Sequence, residues 1–200
     1  MIGRERTGQM IQPQANPILL LEEWSAVLTT RSGIRLYVRP VTSDDAALVD
    51  RFFAGLSHDD LRFRFLTPLA HPSLPLLEAL VLVDHVRTED FLVFTKVDGE
   101  MQLIATAMLA ADPTMERAEV AIAVQPQYKQ RGIGWTLLDF VAQDAKARGI
   151  RTLESIECRD NRAAIEVEQE LGFIAMPCPG EPGLTLLSRT LAGPAPARSA

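Results

Sequence analysis

Along much of this chain apolar and polar residues alternate in short runs, the pattern of strands that bury one face. The clearest example is Ile34, Leu36 and Val38, which alternate with Arg35, Tyr37 and Arg39. Two further β-rich runs flank Asp98-Gly99, a dipeptide that favours the tight turn of a hairpin. The pattern predicts strands at residues 34–40, 91–97, 103–110, 118–124 and 152–158, followed by C-terminal strands.

Other segments place apolar residues at the three- and four-residue spacing of a helix. Leu48, Phe52 and Leu56 follow Asp44 and Asp45, whose side chains favour a helix N-terminus. The order of elements becomes β, α, α, β, β, β, α, β, α, β, β. This order favours the α/β (α+β) class, with a mixed, mostly antiparallel sheet flanked by helices on both faces. The predicted helices are 44–56, 74–83, 133–148 and 161–171.

The length of 200 residues fits a single domain. We expect it to cover residues 17–191, between a mobile polar leader at 1–16 and a mobile tail at 192–200. No apolar run is long enough to span a bilayer, and no signal-peptide cleavage pattern follows one. We therefore expect a cytoplasmic protein with no membrane partner, in which Cys158 and Cys178 are reduced.

Charge and histidine spacing narrow the possible partners. The net charge is −6, which disfavours broad binding to nucleic acid because such binding needs a basic face. His58, His71 and His85 show no metal-ligand spacing with one another or with the cysteines, so no metal site is predicted. Any anionic ligand must therefore be held by a local group of residues.

One loop offers such a group. Residues 129–134, Lys-Gln-Arg-Gly-Ile-Gly, come shortly after the predicted strand 118–124 and open directly into a helix. Glycines let a backbone approach a ligand closely, and the first N–H groups of a helix attract phosphate. Lys129 and Arg131 add positive charge beside them. The same residues could equally form a simple turn before an amphipathic helix.

Two nucleotide-binding loops are excluded by spacing. A triphosphate loop ends in Gly-Lys-Ser/Thr, whereas Gly134 is followed by Trp135 and Thr136. A dinucleotide loop requires a third small residue where this chain has Leu137.

The block from Glu119 to Gly134 resembles the acyl-CoA-binding core of the GNAT acetyltransferase superfamily, whose signature is Gln/Arg-x-x-Gly-x-Gly/Ala. Lys129 stands where Gln or Arg is usual. The block from Asn161 to Phe173 resembles the second hallmark of the family, Asn, then Ala, then Leu-Gly-Phe. Residues 39–65 are similar to the GNAT domains of bacterial protein-lysine acetyltransferases.

The resemblance implies acetyl-CoA as co-substrate and a primary amine, possibly a protein lysine, as acceptor. Glu119 would be the general base, although a solvated strand glutamate is the competing interpretation. Asn161 would contact the cofactor, cap its helix, or do both. Metal ligands are not implied. The remaining cofactor residues implied by the resemblance are Ile122, Ala123, Val124, Lys129, Gln130, Arg131, Gly132, Ile133, Gly134 and Trp135.

One family feature is missing. Many relatives carry a tyrosine that protonates the departing thiolate, and the matching residue here is Glu168, which we expect at the surface. No general acid is therefore predicted. Two other functions stay open: a catalytically silent acyl-CoA-binding module, and an N-acetyltransferase for a small amine. The sequence does not indicate the oligomeric state.

Overall fold

The computed structural model describes residues 26–191, so the predicted leader and tail lie outside the described residues. The five helices are α1 (Ala46–Ala54), α2 (His58–Phe65), α3 (Leu74–Val81), α4 (Ile133–Ala147) and α5 (Arg162–Glu170). The strands are β1 (Ala26–Thr29), β2 (Arg35–Pro40), β3 (Thr88–Val97), β4 (Glu100–Ala111), β5 (Arg117–Val124), β6 (Thr152–Cys158), β7 (Ile174–Pro177) and β8 (Leu184–Thr190). No helix within this described range is long and apolar enough to cross a membrane.

All eight described strands belong to one sheet, in the order β1-β2-β3-β4-β5-β6-β8-β7. Every neighbouring pair is antiparallel except β5 and β6, which are parallel. Helix α4 connects these two, as a parallel connection requires. The predicted mixed, mostly antiparallel sheet with flanking helices is confirmed.

Each face of the sheet carries its own apolar core. On one face α4 and α5 cover the sheet, with Leu137, Val141 and Leu153 fully buried. On the other face α1, α2 and α3 bury Phe53, Leu61 and their neighbours against the central strands. Strand β5 contributes to both cores, because its alternate residues point to opposite faces.

The end of β5 is fastened to α1 by a buried side chain. The Gln125 amide donates to the Phe52 carbonyl oxygen at 2.9 Å. A Cβ added at Gly55 would lie 2.9 Å from Gln125 Nε2, so only glycine leaves room for this contact. The position of β5 relative to α1 is thereby set.

Two elements are missing from the predicted order. Strand β1 pairs with β2 at the sheet edge, and it has only four residues. Helix α2 was not predicted; Ser57 begins it with a capping box in which its hydroxyl accepts from the Asp60 N–H at 3.2 Å. The other predicted elements are present, with ends that differ by a few residues.

Candidate active site

The site is created where two parallel strands separate. Strands β5 and β6 pair only from Arg117–Thr152 to Glu119–Glu154. Beyond Glu119 they separate, although β5 stays paired with β4 as far as Val124. A cavity of about 470 Å³ opens in this region. It is lined from β5, β6, the loop before α4, and helices α2, α4 and α5.

One end of the cavity is the N-terminus of α4. Gly132 precedes the helix with φ 76°, a left-handed conformation that glycine adopts without strain. The first helical bond runs from the Thr136 N–H to the Gly132 carbonyl oxygen at 3.0 Å. The N–H groups of Ile133, Gly134 and Trp135 therefore have no partner within the helix. A Cβ added at Gly134 would meet no atom within 4 Å, so this turn is open to a ligand.

The two cations of the loop have different surroundings. Lys129 forms an ion pair with Asp60 on α2, whose side chain is only 9% exposed. Arg131 is exposed and lies over the ring of Tyr128, 5.5 Å from its centroid. Lys129 therefore joins the loop to α2, while Arg131 leaves its charge at the surface of the loop.

Helix α2 bridges the two separated strands. In addition to the Asp60–Lys129 pair on the β5 side, Arg62 pairs with Asp160 on the β6 side, with 2.6 Å between Nη2 and Oδ2. Phe63 and Arg64 of α2 line the cavity between these contacts. Helix α2 is therefore held against the cavity by an ion pair on each side.

Glu119 lies where the strands begin to separate. Alternate residues of β5 point to opposite faces: Val120 packs in the core under α4, whereas Ala123 packs in the core under α1 to α3. Glu119 points to the same face as Ala123 and is exposed. It is not among the residues that line the cavity, but Arg64, which does line it, interacts electrostatically with Glu119.

A second carboxyl group near Arg64 is buried. Asp90 on β3 is 2% exposed, and its Oδ1 atom has no hydrogen-bond partner within residues 26–191. Burial raises the pKa of Asp90 to about 7, and the nearby positive charge of Arg64 only partly opposes this rise. Asp90 is therefore a proton-binding group in the interior of the sheet.

On the opposite side of the cavity the structure corrects one expectation. Glu168 on α5 is not at the surface: it is 6% exposed and lines the cavity. Glu157 on β6 lines it too, and its Oε2 atom accepts a 2.7 Å hydrogen bond from the Asn161 amide. Asn161 precedes α5 but makes no side-chain cap there. The expectation failed because Glu168 occupies a position on the buried face of α5.

The predicted cofactor residues come together with one exception. Arg131 does not line the cavity, although its neighbours on both sides do. The residues that sequence reasoning missed lie on α2, β6 and α5, distant in the chain from the loop. No group of three or more His, Cys, Asp or Glu side chains suited to a metal occurs within the described part of the chain.

The model of the Acetyltransferase (GNAT) family matches residues 57–173, more than half of the chain. The chain belongs to the GNAT acetyltransferase family. An acetyltransferase of Pseudomonas aeruginosa is 26% identical over 149 residues, 74% of this chain and 80% of that protein. Acetyltransferase Pat of Mycolicibacterium smegmatis is 30% identical over 149 residues, which are 72% of this chain but 43% of that protein.

A solved structure agrees with this assignment. The crystal structure of the GNAT domain of S. lividans PAT matches with a TM-score of 0.75 and 27% identity. The match covers 84% of this chain and 98% of that domain. This GNAT chain is therefore similar to Pat proteins in both sequence and fold, and it spans less than half the length of the Pat protein from M. smegmatis.

Proposed function

We propose that this GNAT chain transfers an acetyl group from acetyl-CoA to a primary amine, in a ternary complex. The observation that carries the proposal is the separation of β5 from β6 beyond Glu119, which leaves a cavity ending at the open N-terminus of α4. An extended ligand with a pyrophosphate at one end and a thioester at the other fits this shape and polarity.

The pyrophosphate would lie over residues 130–135. The N–H groups of Ile133, Gly134 and Trp135 would donate to its oxygens, and the exposed guanidinium of Arg131 would add positive charge from the loop. Lys129 would contribute less, because Asp60 already neutralises much of its charge. The fit relies on main-chain donors, which explains how an acidic protein can hold a strongly anionic co-substrate.

The pantetheine arm would follow the edge of β5 that β6 leaves free. Residues Ile122, Ala123 and Val124 line the cavity and pair with β4 only on their other edge. Amide groups of an extended ligand can pair with such an edge as an added strand does. In this arrangement the thioester would lie towards Glu119, the last residue of β5 that is paired with β6.

Glu119 would act as the general base, directly or through one water. An alkylammonium must lose a proton before its nitrogen can attack the thioester carbonyl carbon, and Glu119 lies exposed on the α2 side of that point. No covalent enzyme intermediate is needed. Cys158 is buried and burial raises the pKa of its thiol, which makes it a poor nucleophile at neutral pH.

For the acceptor we favour a protein lysine over a free small amine. The similarity to Acetyltransferase Pat and to the GNAT domain of S. lividans PAT supports this choice. The resemblance of residues 39–65 to protein-lysine acetyltransferases supports it as well. In this chain those residues include α2, the helix that forms the wall of the cavity near Glu119.

The test compares three proteins: wild type, Glu119→Gln, and Glu181→Gln as a matched control in the exposed loop before β8. Each is incubated with labelled acetyl-CoA and either dialysed cell extract or a panel of small amines. We expect wild type and Glu181→Gln to label proteins, and Glu119→Gln to do so ~10²- to 10⁴-fold more slowly with unchanged cofactor affinity.

Other outcomes would replace this proposal. Rapid turnover of one small amine without protein labelling would favour the small-amine acetyltransferase. Tight binding of acetyl-CoA without turnover of any acceptor would favour the silent acyl-CoA-binding module.

A further inference from the structure

A pair of carboxyl groups lies inside the cavity, opposite Glu119. Glu168 comes from α5 and Glu157 from β6, and both side chains line the cavity. Glu168 is 6% exposed, and its Oε2 atom has no hydrogen-bond partner among residues 26–191. A carboxyl oxygen that is buried, unpaired and beside an open cavity is available to a ligand in that cavity.

The surroundings of this pair keep a proton on it at neutral pH. Burial raises the pKa of Glu157 and of Glu168, and the neighbouring carboxyl raises that of Glu157 further, whereas hydrogen bonds with Ser155 and Glu157 partly oppose the rise at Glu168. The pair therefore retains a proton at a pH where an exposed glutamate would have lost it. The other charged residues that line the cavity are Asp60 and Arg64 on α2, Lys129 in the loop, and Glu166 and Glu170 on α5.

Chain direction places Glu168 at the thioester end of the cavity. Strands β5 and β6 are parallel, so both run from their paired beginning towards the phosphate end. Asn161, before α5, binds Glu157 near the end of β6, whereas Glu168, near the C-terminus of α5, also interacts with Ser155, the residue next to Glu154. Glu168 therefore lies closer to the point of strand separation than Asn161 does, and on the other face of the sheet from Glu119.

We propose that Glu168 is the general acid of the acetyl transfer and that Glu157 helps it retain its proton. The proposal rests on the proposed function. The alkylammonium first loses one proton to solvent by way of Glu119. The neutral amine nitrogen then forms a bond to the carbonyl carbon and gives a second proton to Glu119. The carbon–sulfur bond breaks, and the sulfur keeps the electron pair and takes the proton of Glu168. When the products leave, Glu119 releases its proton to solvent and the Glu168 carboxylate regains one.

The first test needs no acceptor. CoA and desulfo-CoA, which lacks the sulfur, are bound in turn to wild type, Glu168→Gln and the control Glu181→Gln. The ultraviolet absorbance of the thiolate, with the desulfo-CoA complex as blank, gives the pKa of the bound thiol. A carboxylate in contact with the sulfur should raise that pKa by about 1 unit or more in wild type and in Glu181→Gln. Glu168→Gln should remove the rise.

The second test uses the acceptor found by the labelling experiment. Glu168→Gln should lower kcat by ~10²-fold while the Kd for acetyl-CoA stays within a few-fold of wild type. In wild type kcat should fall as the pH rises through the raised pKa of the pair, and this alkaline decline should be missing from Glu168→Gln. If that variant does not fold, Glu168→Leu fills similar space and carries the same expectations.

The outcomes separate the two proposals. Bound CoA with the same thiol pKa in wild type and Glu168→Gln, or equal pH profiles, would remove Glu168 from the reaction and leave the proposed function intact. Failure of wild type to bind CoA would overturn the proposed function, and this inference with it.

Discussion

A negative charge placed at Gly134 should weaken cofactor binding strongly without unfolding the protein. Gly134 lies in the first turn of α4, and a Cβ there meets no atom within 4 Å. The first carbon of the side chain added by Gly134→Glu would thus meet no neighbouring atom. A carboxylate in the first turn also interacts favourably with the helix dipole, by about 0.3 to 1 kcal/mol. The unliganded variant should be as stable as wild type or slightly more so.

The same carboxylate would face a bound pyrophosphate. At about 4 Å two like charges repel by roughly 1 kcal/mol in water and roughly 4 kcal/mol near a protein surface. Because each 1.4 kcal/mol is about tenfold in affinity, the expected loss is ~5- to 10³-fold for each phosphate charge encountered. The variant Gly134→Ala adds the same Cβ without the charge, so its Kd should stay within a few-fold of wild type.

Calorimetric titration with acetyl-CoA measures these affinities, and thermal unfolding checks that each variant is folded. The loss of affinity for acetyl-CoA caused by Gly134→Glu should become smaller at higher salt, since screening weakens repulsion at an exposed site. Two results would refute the placement of the pyrophosphate: a folded Gly134→Glu that binds like wild type, or a Gly134→Ala that loses as much affinity as Gly134→Glu.

Two further predictions concern how the free energy of unfolding, measured by urea denaturation, changes with pH. The raised pKa of Asp90 favours its protonated form in the folded protein. Protonated Asp90 therefore contributes fully to the free energy of unfolding below about pH 4, and this contribution is lost as the pH rises through 7. Asp90→Asn should therefore show a smaller decline between pH 4 and 7 than wild type; parallel curves would contradict this. The second prediction concerns Asp45. Burial raises its pKa, but hydrogen bonds from Arg39 and Thr42 outweigh burial and lower the pKa below its usual value. Asp45→Asn should lower the free energy of unfolding by about 2 kcal/mol at pH 7. The difference in this free energy between the variant and wild type should vanish as the pH falls well below 4.

The parts of the fold that sequence analysis predicted are those with a local signature. The hairpin around Asp98-Gly99 and the loop before α4 each consist of consecutive residues whose type determines their conformation. Strand β1 lacked such a signature, because four residues at a sheet edge are too few to show a period.

Helix α2 was missed for a different reason. Its second half, Arg62-Phe63-Arg64-Phe65, alternates with period two, which resembles a strand more than a helix. The capping box formed by Ser57 and Asp60 was a signal that could have identified it. What holds α2 in place is tertiary: its ion pairs reach Lys129 and Asp160, and neither partner can be inferred from α2 alone.

The carboxyl pair shows where sequence patterns stop being informative about a site. On α5 Glu168 is four residues after the half-buried Ala164 and three before the buried Leu171, so it lies on the inward face of the helix. A glutamate on the inward face of a helix can extend past the core into solvent or stay buried beside the core. The sequence of the helix is the same in both cases, so it does not predict which occurs. Here the separation of β6 from β5 decides between them, since it leaves a cavity that a buried carboxyl can face. That separation depends on pairing between strands more than thirty residues apart, which is why the burial of Glu168 beside a cavity became visible only in the folded chain.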